Sequence, residues 1–247
     1  MDILETDAFD RRQRRNVSCA LFFSLLPFFM ASALYFNLWT PDSPASVTIA
    51  GIKSAPTLLL ALTVLIWNGG RSVLGVGGGL ILSAVGDVCL VWSELFVHGM
   101  GAFAVAHLLY SATFLSSRYT SYSSSSWTRL LYLILVLLGA GFYAYLYPFL
   151  QKDPHADLLT PGVAVYILLI ALMGSLAIRS GQFLTVLGSL IFMISDLSLA
   201  LQVFKVMKVD NGNSIVMVTY YLAQMLIAVG DVRAVESKDD FAKWKRS

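Results

Sequence analysis

Two aspartates stand deep inside apolar runs: Asp87 in Gly75-Val-Gly-Gly-Gly79-Leu-Ile-Leu-Ser83-Ala-Val-Gly-Asp87, and Asp196 in Gly188-Ser-Leu-Ile-Phe-Met-Ile-Ser-Asp196. Each run is long enough to cross a bilayer, where an ionisable side chain is costly and marks a functional site by default. Paired carboxyls in such a setting point to proton chemistry, one group giving a proton while the other stabilises a cation or activates water. Gly75, Gly79, Ser83 and Asp87 recur at helical spacing and line one face. The plain structural reading of that face is close approach of a neighbouring helix. A phosphate-binding loop is excluded, because no strand precedes the glycines and no Lys-Ser/Thr pair follows them.

Other polar groups fall at a similar depth. Lys53 precedes Pro56 and either meets a ligand or snorkels to the headgroups. His98 opens an apolar run and is either a site residue or simply solvated. His107 has no second His or Glu one turn away, so a bond between helices fits it better than a metal. Tyr143, Tyr147, Tyr166 and Tyr221 read first as belt or packing residues. Tyr220 and Gln224 lie one turn apart and face one way, as residues lining a polar cavity do. Glu94 and Asp231 stand at helix ends and are expected to be wet. No metal-ligand set accompanies these residues, and neither metal nor cofactor is expected. Cys19 and Cys89 both lie in apolar runs, which argues against a disulfide framework.

The elements that must position these groups are membrane helices. Of 247 residues 57% are hydrophobic and 13% charged, against about 25% charged in soluble domains. A net charge of +2 is too small to argue for nucleic acid, and no stretch is left for a second soluble domain. Apolar spans of bilayer length fall near 19–39, 47–67, 73–92, 97–116, 129–149, 161–178, 183–204 and 214–232. The first is too long for the apolar core of a signal peptide. Period-two alternation is absent, which excludes a barrel. The expected fold is therefore an all-α polytopic bundle of eight transmembrane helices, with a basic tail over 1–18 and a polar tail over 233–247. Residues 117–128 read as a linker between two halves. Thirteen of the 17 Lys and Arg residues fall on the side that holds the termini, so both termini are expected in the cytoplasm. Lys53, Asp87, His98, Asp196, Tyr220 and Gln224 then crowd the half nearer the other face.

The two aspartate runs also resemble each other. Aligning Asp87 with Asp196 superposes Gly79 on Gly188 and small Gly86 on small Ser195. Four helices separate the pair, an even number, so a duplication would be parallel. Three function classes fit such a chain: an enzyme, a proton-coupled transporter, or a non-enzymatic lipid-binding membrane protein. The discontinuous helices that carriers favour are evident only in the third span.

Taken together, Ser83-Ala-Val-Gly-Asp87, Phe96-Val-His-Gly99 with Ala106-His107, Tyr143-Ala-Tyr-Leu-Tyr-Pro148, Ile194-Ser-Asp196 and Thr219-Tyr-Tyr-Leu-Ala-Gln224 resemble the YhhN family of membrane lysoplasmalogenases, over roughly residues 25–232. The basic N-terminal tail is not part of that pattern. The resemblance implies hydrolysis of the vinyl-ether bond of lysoplasmenylcholine or lysoplasmenylethanolamine, in a membrane of the endoplasmic-reticulum type. It casts Asp87 and Asp196 as the catalytic carboxyls. Lys53, His98, His107, Tyr143, Tyr220 and Gln224 are the candidates for binding a lysophospholipid. Vinyl-ether cleavage begins with proton transfer to the alkenyl carbon and gives an oxocarbenium-like centre that water attacks. That asks for one protonated carboxyl and one carboxylate, the division of labour of glycosidases. Burial and a neighbouring carboxylate favour it.

Overall fold

The computed structural model describes residues 16–40, 43–70, 72–119, 126–207 and 211–244, with side chains described as far as residue 236. Arg11, Arg12, Arg14, Arg15, Arg71, Lys208, Lys238, Lys243, Lys245 and Arg246 lie outside the described side chains, as do residues 120–125 of the 117–128 linker. The described residues form eight helices and no strand. They are α1 Asn16–Leu38, α2 Val47–Trp67, α3 Val76–Cys89, α4 Phe96–Leu115, α5 Ser126–Leu150, α6 Ala156–Ser180, α7 Phe183–Val203 and α8 Gly212–Trp244. Seven are long and apolar enough to cross a membrane. The protein is a multi-pass membrane helix bundle.

The third helix departs from expectation. Instead of running over 73–92 it keeps only 14 residues, about 21 Å at 1.5 Å per residue, against a hydrocarbon core of about 30 Å. Turns at 72–75 and 90–92 and a 3₁₀ turn at Ser93–Leu95 make up the rest. Its start meets Thr113 near the end of α4, and its end meets Gly99 near the start of α4, so the chain still passes from one end of the bundle to the other. Glycine makes this contact possible. A Cβ on Gly79 would stand 2.3 Å from the Tyr110 ring, and one on Gly86 2.5 Å from the Phe103 ring.

Helix ends follow local chemistry. Ser46 caps α2 by accepting the Ile49 amide at 3.2 Å. Gly181, at φ +64°, closes α6 in the left-handed conformation that glycine adopts without strain. The α8 helix continues past the expected 232 to Trp244.

Helices α1 to α4 pack in chain order, and α5 to α8 pack in chain order. The halves meet through α2 with α8 and α4 with α6, two pairs that interchange when one half is mapped onto the other. Local contacts follow the same mapping. Gly79 against Tyr110 has its counterpart in Gly188 against the Ala223 carbonyl, and Gly86 against Phe103 in the Ser195 hydroxyl bonded to the Val216 carbonyl at 3.0 Å. The two halves thus share one pattern of helix contacts, as a parallel duplication would give. The core is aromatic, centred on Tyr35, Phe103, Tyr110, Phe114, Phe192 and Tyr220, while residues such as Leu62, Ile66, Leu137 and Leu138 face outward as lipid-facing side chains do.

Candidate active site

Each aspartate is held by one hydroxyl from its own half and one ring from the other half. Asp87, 1% exposed, accepts at Oδ2 from the Thr57 hydroxyl of α2 at 3.2 Å and from the Tyr220 hydroxyl of α8 at 2.8 Å. Asp196 accepts at Oδ2 from the Tyr166 hydroxyl of α6 at 2.8 Å and meets His107 Nε2 of α4 at 3.1 Å. Thr57 and Tyr166 each stand 30 residues ahead of their aspartate. The two halves therefore carry similar polar posts, hydroxyl–carboxylate–phenol and phenol–carboxylate–imidazole.

The structure does not bring the two carboxylates to one point. Between the networks stand the rings of Phe103 and Phe192: Phe192 lies 4.8 Å from His107 and 5.6 Å from Tyr220 between centroids, and Phe103 lies 5.8 Å from Tyr220. His107 is fully buried, and its Nε2 also lies 3.1 Å from the Tyr166 hydroxyl, while Nδ1 faces the Met173 sulfur at 3.3 Å. The Nε2–H tautomer satisfies an ionised Asp196, and a protonated Asp196 is satisfied by the other tautomer.

The posts differ in access. Asp196 and Tyr166 line a cavity of about 50 Å³ whose remaining walls are apolar, among them Phe96, Met100, Phe142 and Ile170. Asp87 is not part of that wall; Tyr35 and Tyr221 meet edge to face at 5.7 Å. The Tyr221 hydroxyl donates to the Lys53 carbonyl at 2.7 Å, one residue on from the carbonyl that Pro56 leaves without its helical partner. Beside the apolar cavity opens a vestibule of about 560 Å³ with Lys53 in its wall. Leu90, Phe96, Leu199 and Phe204 line both, so the two spaces adjoin.

The remaining candidates fall into place as follows. Lys53 belongs to the vestibule, and its charge acts on Asp87. Gln224 accepts from the Tyr110 hydroxyl at 2.8 Å, and Ser83 lies 3.4 Å from that hydroxyl, one turn from Asp87. His98 is exposed and lines neither space. Tyr143 spends its hydroxyl on the Thr160 carbonyl at 3.2 Å and ties α5 to α6. Sequence reasoning left out Tyr166 and Thr57 as site residues. A repeat offset applied to Thr57 lands on Tyr166, the signal that finds both. No group of three potential metal ligands occurs among the described residues.

Asp231 corrects an expectation. It is fully buried rather than wet, accepting from Asn68 Nδ2 and the Ser72 hydroxyl at 2.8 Å each and from the Tyr119 hydroxyl at 3.3 Å, with Arg118 Nη1 at 3.9 Å. Burial and the adjacent Asp231 charge push the Tyr119 phenol well above its usual range, so it stays a donor. This cluster pins the α2–α3 and α4–α5 connections to α8, at the end of the bundle away from the vestibule.

Comparison with known proteins fits this geometry. The YhhN family model matches residues 48–230. Lysoplasmalogenase TMEM86A of Bos taurus is 36% identical over 234 residues, covering 88% of this chain and 92% of its own length. Lysoplasmalogenase TMEM86B of Homo sapiens is 34% identical over 218 residues, covering 87% and 89%. A lysoplasmalogenase of Mycobacterium bovis is 29% identical over 199 residues, covering 77% and 72%. No solved structure matches the chain.

Proposed function

The chain belongs to the YhhN family, and on that premise we propose that it is a membrane lysoplasmalogenase. It hydrolyses the vinyl-ether bond of lysoplasmenylcholine or lysoplasmenylethanolamine to a fatty aldehyde and glycerophosphocholine or glycerophosphoethanolamine. The observation that carries this reading is Asp196: a carboxyl braced by Tyr166 and His107 in the wall of an otherwise apolar cavity that adjoins a polar vestibule. A lysolipid has that same division, one apolar chain joined to a polar head at the bond to be broken.

The residues divide the work. Protonated Asp196 gives its proton to the alkenyl carbon, and the alkene electron pair forms the new C–H bond. The adjacent carbon becomes an oxocarbenium centre. Asp196, now a carboxylate, accepts the proton of the water that adds there, with His107 holding the proton in transit. The hemiacetal then collapses to aldehyde and glycerol hydroxyl. Asp87 is the second carboxylate of the site, and its negative charge acts on the cationic centre through the Tyr220–Phe192 layer. Apolar walls make that charge effective, because few dipoles screen it. The enzyme works in an endoplasmic-reticulum type membrane with both termini in the cytoplasm.

Release of aldehyde from lysoplasmenylcholine by the purified, reconstituted protein tests the reading, with the saturated alkyl-ether analogue as control. Aldehyde from the first and none from the second is the expected result. Absence of aldehyde from both returns the chain to the transport or lipid-binding classes.

A further inference from the structure

We propose that the vestibule is a built site for a zwitterionic headgroup, in which Lys53 takes the phosphate while Glu94 and Asp153 take the cationic nitrogen. This rests on the hydrolase reading and extends it to headgroup choice. Among the described residues, the charged and titratable side chains around the space, apart from the Tyr35 phenol, are Lys53, Glu94, Asp153 and His155. Lys53 makes neither a hydrogen bond nor an ion pair through its ammonium with any described residue. A compact, unpaired ammonium in the wall of a cavity is a natural partner for a phosphate. Asp153 uses one carboxylate oxygen to accept the His155 amide at 2.9 Å, and its other oxygen makes no such bond. Glu94 stands in the 3₁₀ turn between α3 and α4 with its carboxylate exposed. Trp39 and Trp92 complete the wall with indole rings, whose faces attract quaternary and primary ammonium groups.

Position orders these charges. Lys53 lies on the second turn of α2, one turn ahead of the Thr57 that holds Asp87. Glu94 and Asp153 come from connections at the end of the bundle. Phosphate inward and nitrogen outward is the order in which a phospholipid head leaves its glycerol. The glycerol and its ether bond then sit where the vestibule joins the apolar cavity. A phosphate-only head satisfies Lys53 alone and sets its charge against two carboxylates.

Binding of two ligands that cannot be hydrolysed tests this: 1-O-alkyl lysophosphocholine and 1-O-alkyl glycerol phosphate, titrated into the reconstituted full-length protein by tryptophan fluorescence. The wild type should prefer the zwitterion. Lys53→Gln should weaken both ligands by about tenfold, and Glu94→Gln with Asp153→Asn should lower the preference by about tenfold, the scale of one well-placed charge contact. Both carboxylates are on loops, so their removal leaves the helices intact. Equal wild-type affinities, an unchanged preference in the double variant, or unchanged affinities in Lys53→Gln would each overturn the assignment. Aldehyde release from lysoplasmenylcholine, measured on the same preparations, separates the two claims. Selective binding without release sinks the hydrolase and supports the headgroup site, whereas release without selectivity sinks the headgroup site alone.

Discussion

At the scale of residues, Asp196 should answer to substitution as a proton donor and its neighbours as its tuners. Asp196→Asn keeps volume and accepts the same two bonds but has no carboxyl proton, so turnover should fall by about 10²–10⁴-fold with the melting temperature nearly unchanged. Tyr166→Phe removes the 2.8 Å bond to Asp196 and should lower kcat more than it raises KM. Tyr220→Phe takes the 2.8 Å donor from buried Asp87 and should cost about 1–3 kcal/mol of stability, read by denaturation in detergent. The two aspartates are legible in the sequence because a carboxyl in a bilayer-length apolar run has so few explanations. His107 and Tyr220 stand out as polar groups, but which aspartate each meets is not legible, since His107 stands 89 residues from Asp196 and Tyr220 133 from Asp87. A lone tyrosine in a membrane helix looks the same whether it packs or donates. Asp231 was misread for a related reason: its position near a helix end says nothing of Ser72, Tyr119 and Asn68 folding over it.

At the scale of elements, α3 is the piece whose fit matters most. It is packed against α2 on one side and α4 on the other, and Gly86 lets Phe103 lie directly on its backbone. Gly86→Val forces that ring away from Phe192 and Tyr220, overpacking that costs on the order of 1–3 kcal/mol. It sits next to Asp87 in sequence, so activity should fall with stability, measured as parallel losses in turnover and melting temperature. Helix number was readable from apolar run length, and most boundaries fell within a few residues. The shortness of α3 was not readable. Val73, Leu74, Leu90 and Val91 are as apolar as the helix they flank, and the chain turns before Val76 where Gly69 and Gly70 take positive φ and Ser72 and Asn68 pack around Asp231.

At the scale of the whole molecule, the two halves carry one carboxylate each, and the two are not equivalent. Asp196 stands in the wall of a cavity, whereas Asp87 is buried and is not part of that wall. The short match between Gly79–Asp87 and Gly188–Asp196 is visible in the sequence, and the interchange of helix partners is what sequence alone lacked. If the short α3 counts as a pass beside the seven long helices, the number is even and both ends fall on one side, so tags at either terminus should share protection from protease in sealed vesicles. Tags on opposite sides would remove one pass from the bundle. The most direct test of the central claim, proton transfer from Asp196 to the alkenyl carbon, is hydrolysis of lysoplasmenylcholine in deuterium oxide with the aldehyde trapped as it forms. The wild type should give aldehyde carrying one deuterium at the carbon next to the carbonyl, and Asp196→Asn should form it at least about a hundredfold more slowly. Aldehyde without that deuterium, or formed at an undiminished rate by the variant, would contradict the account.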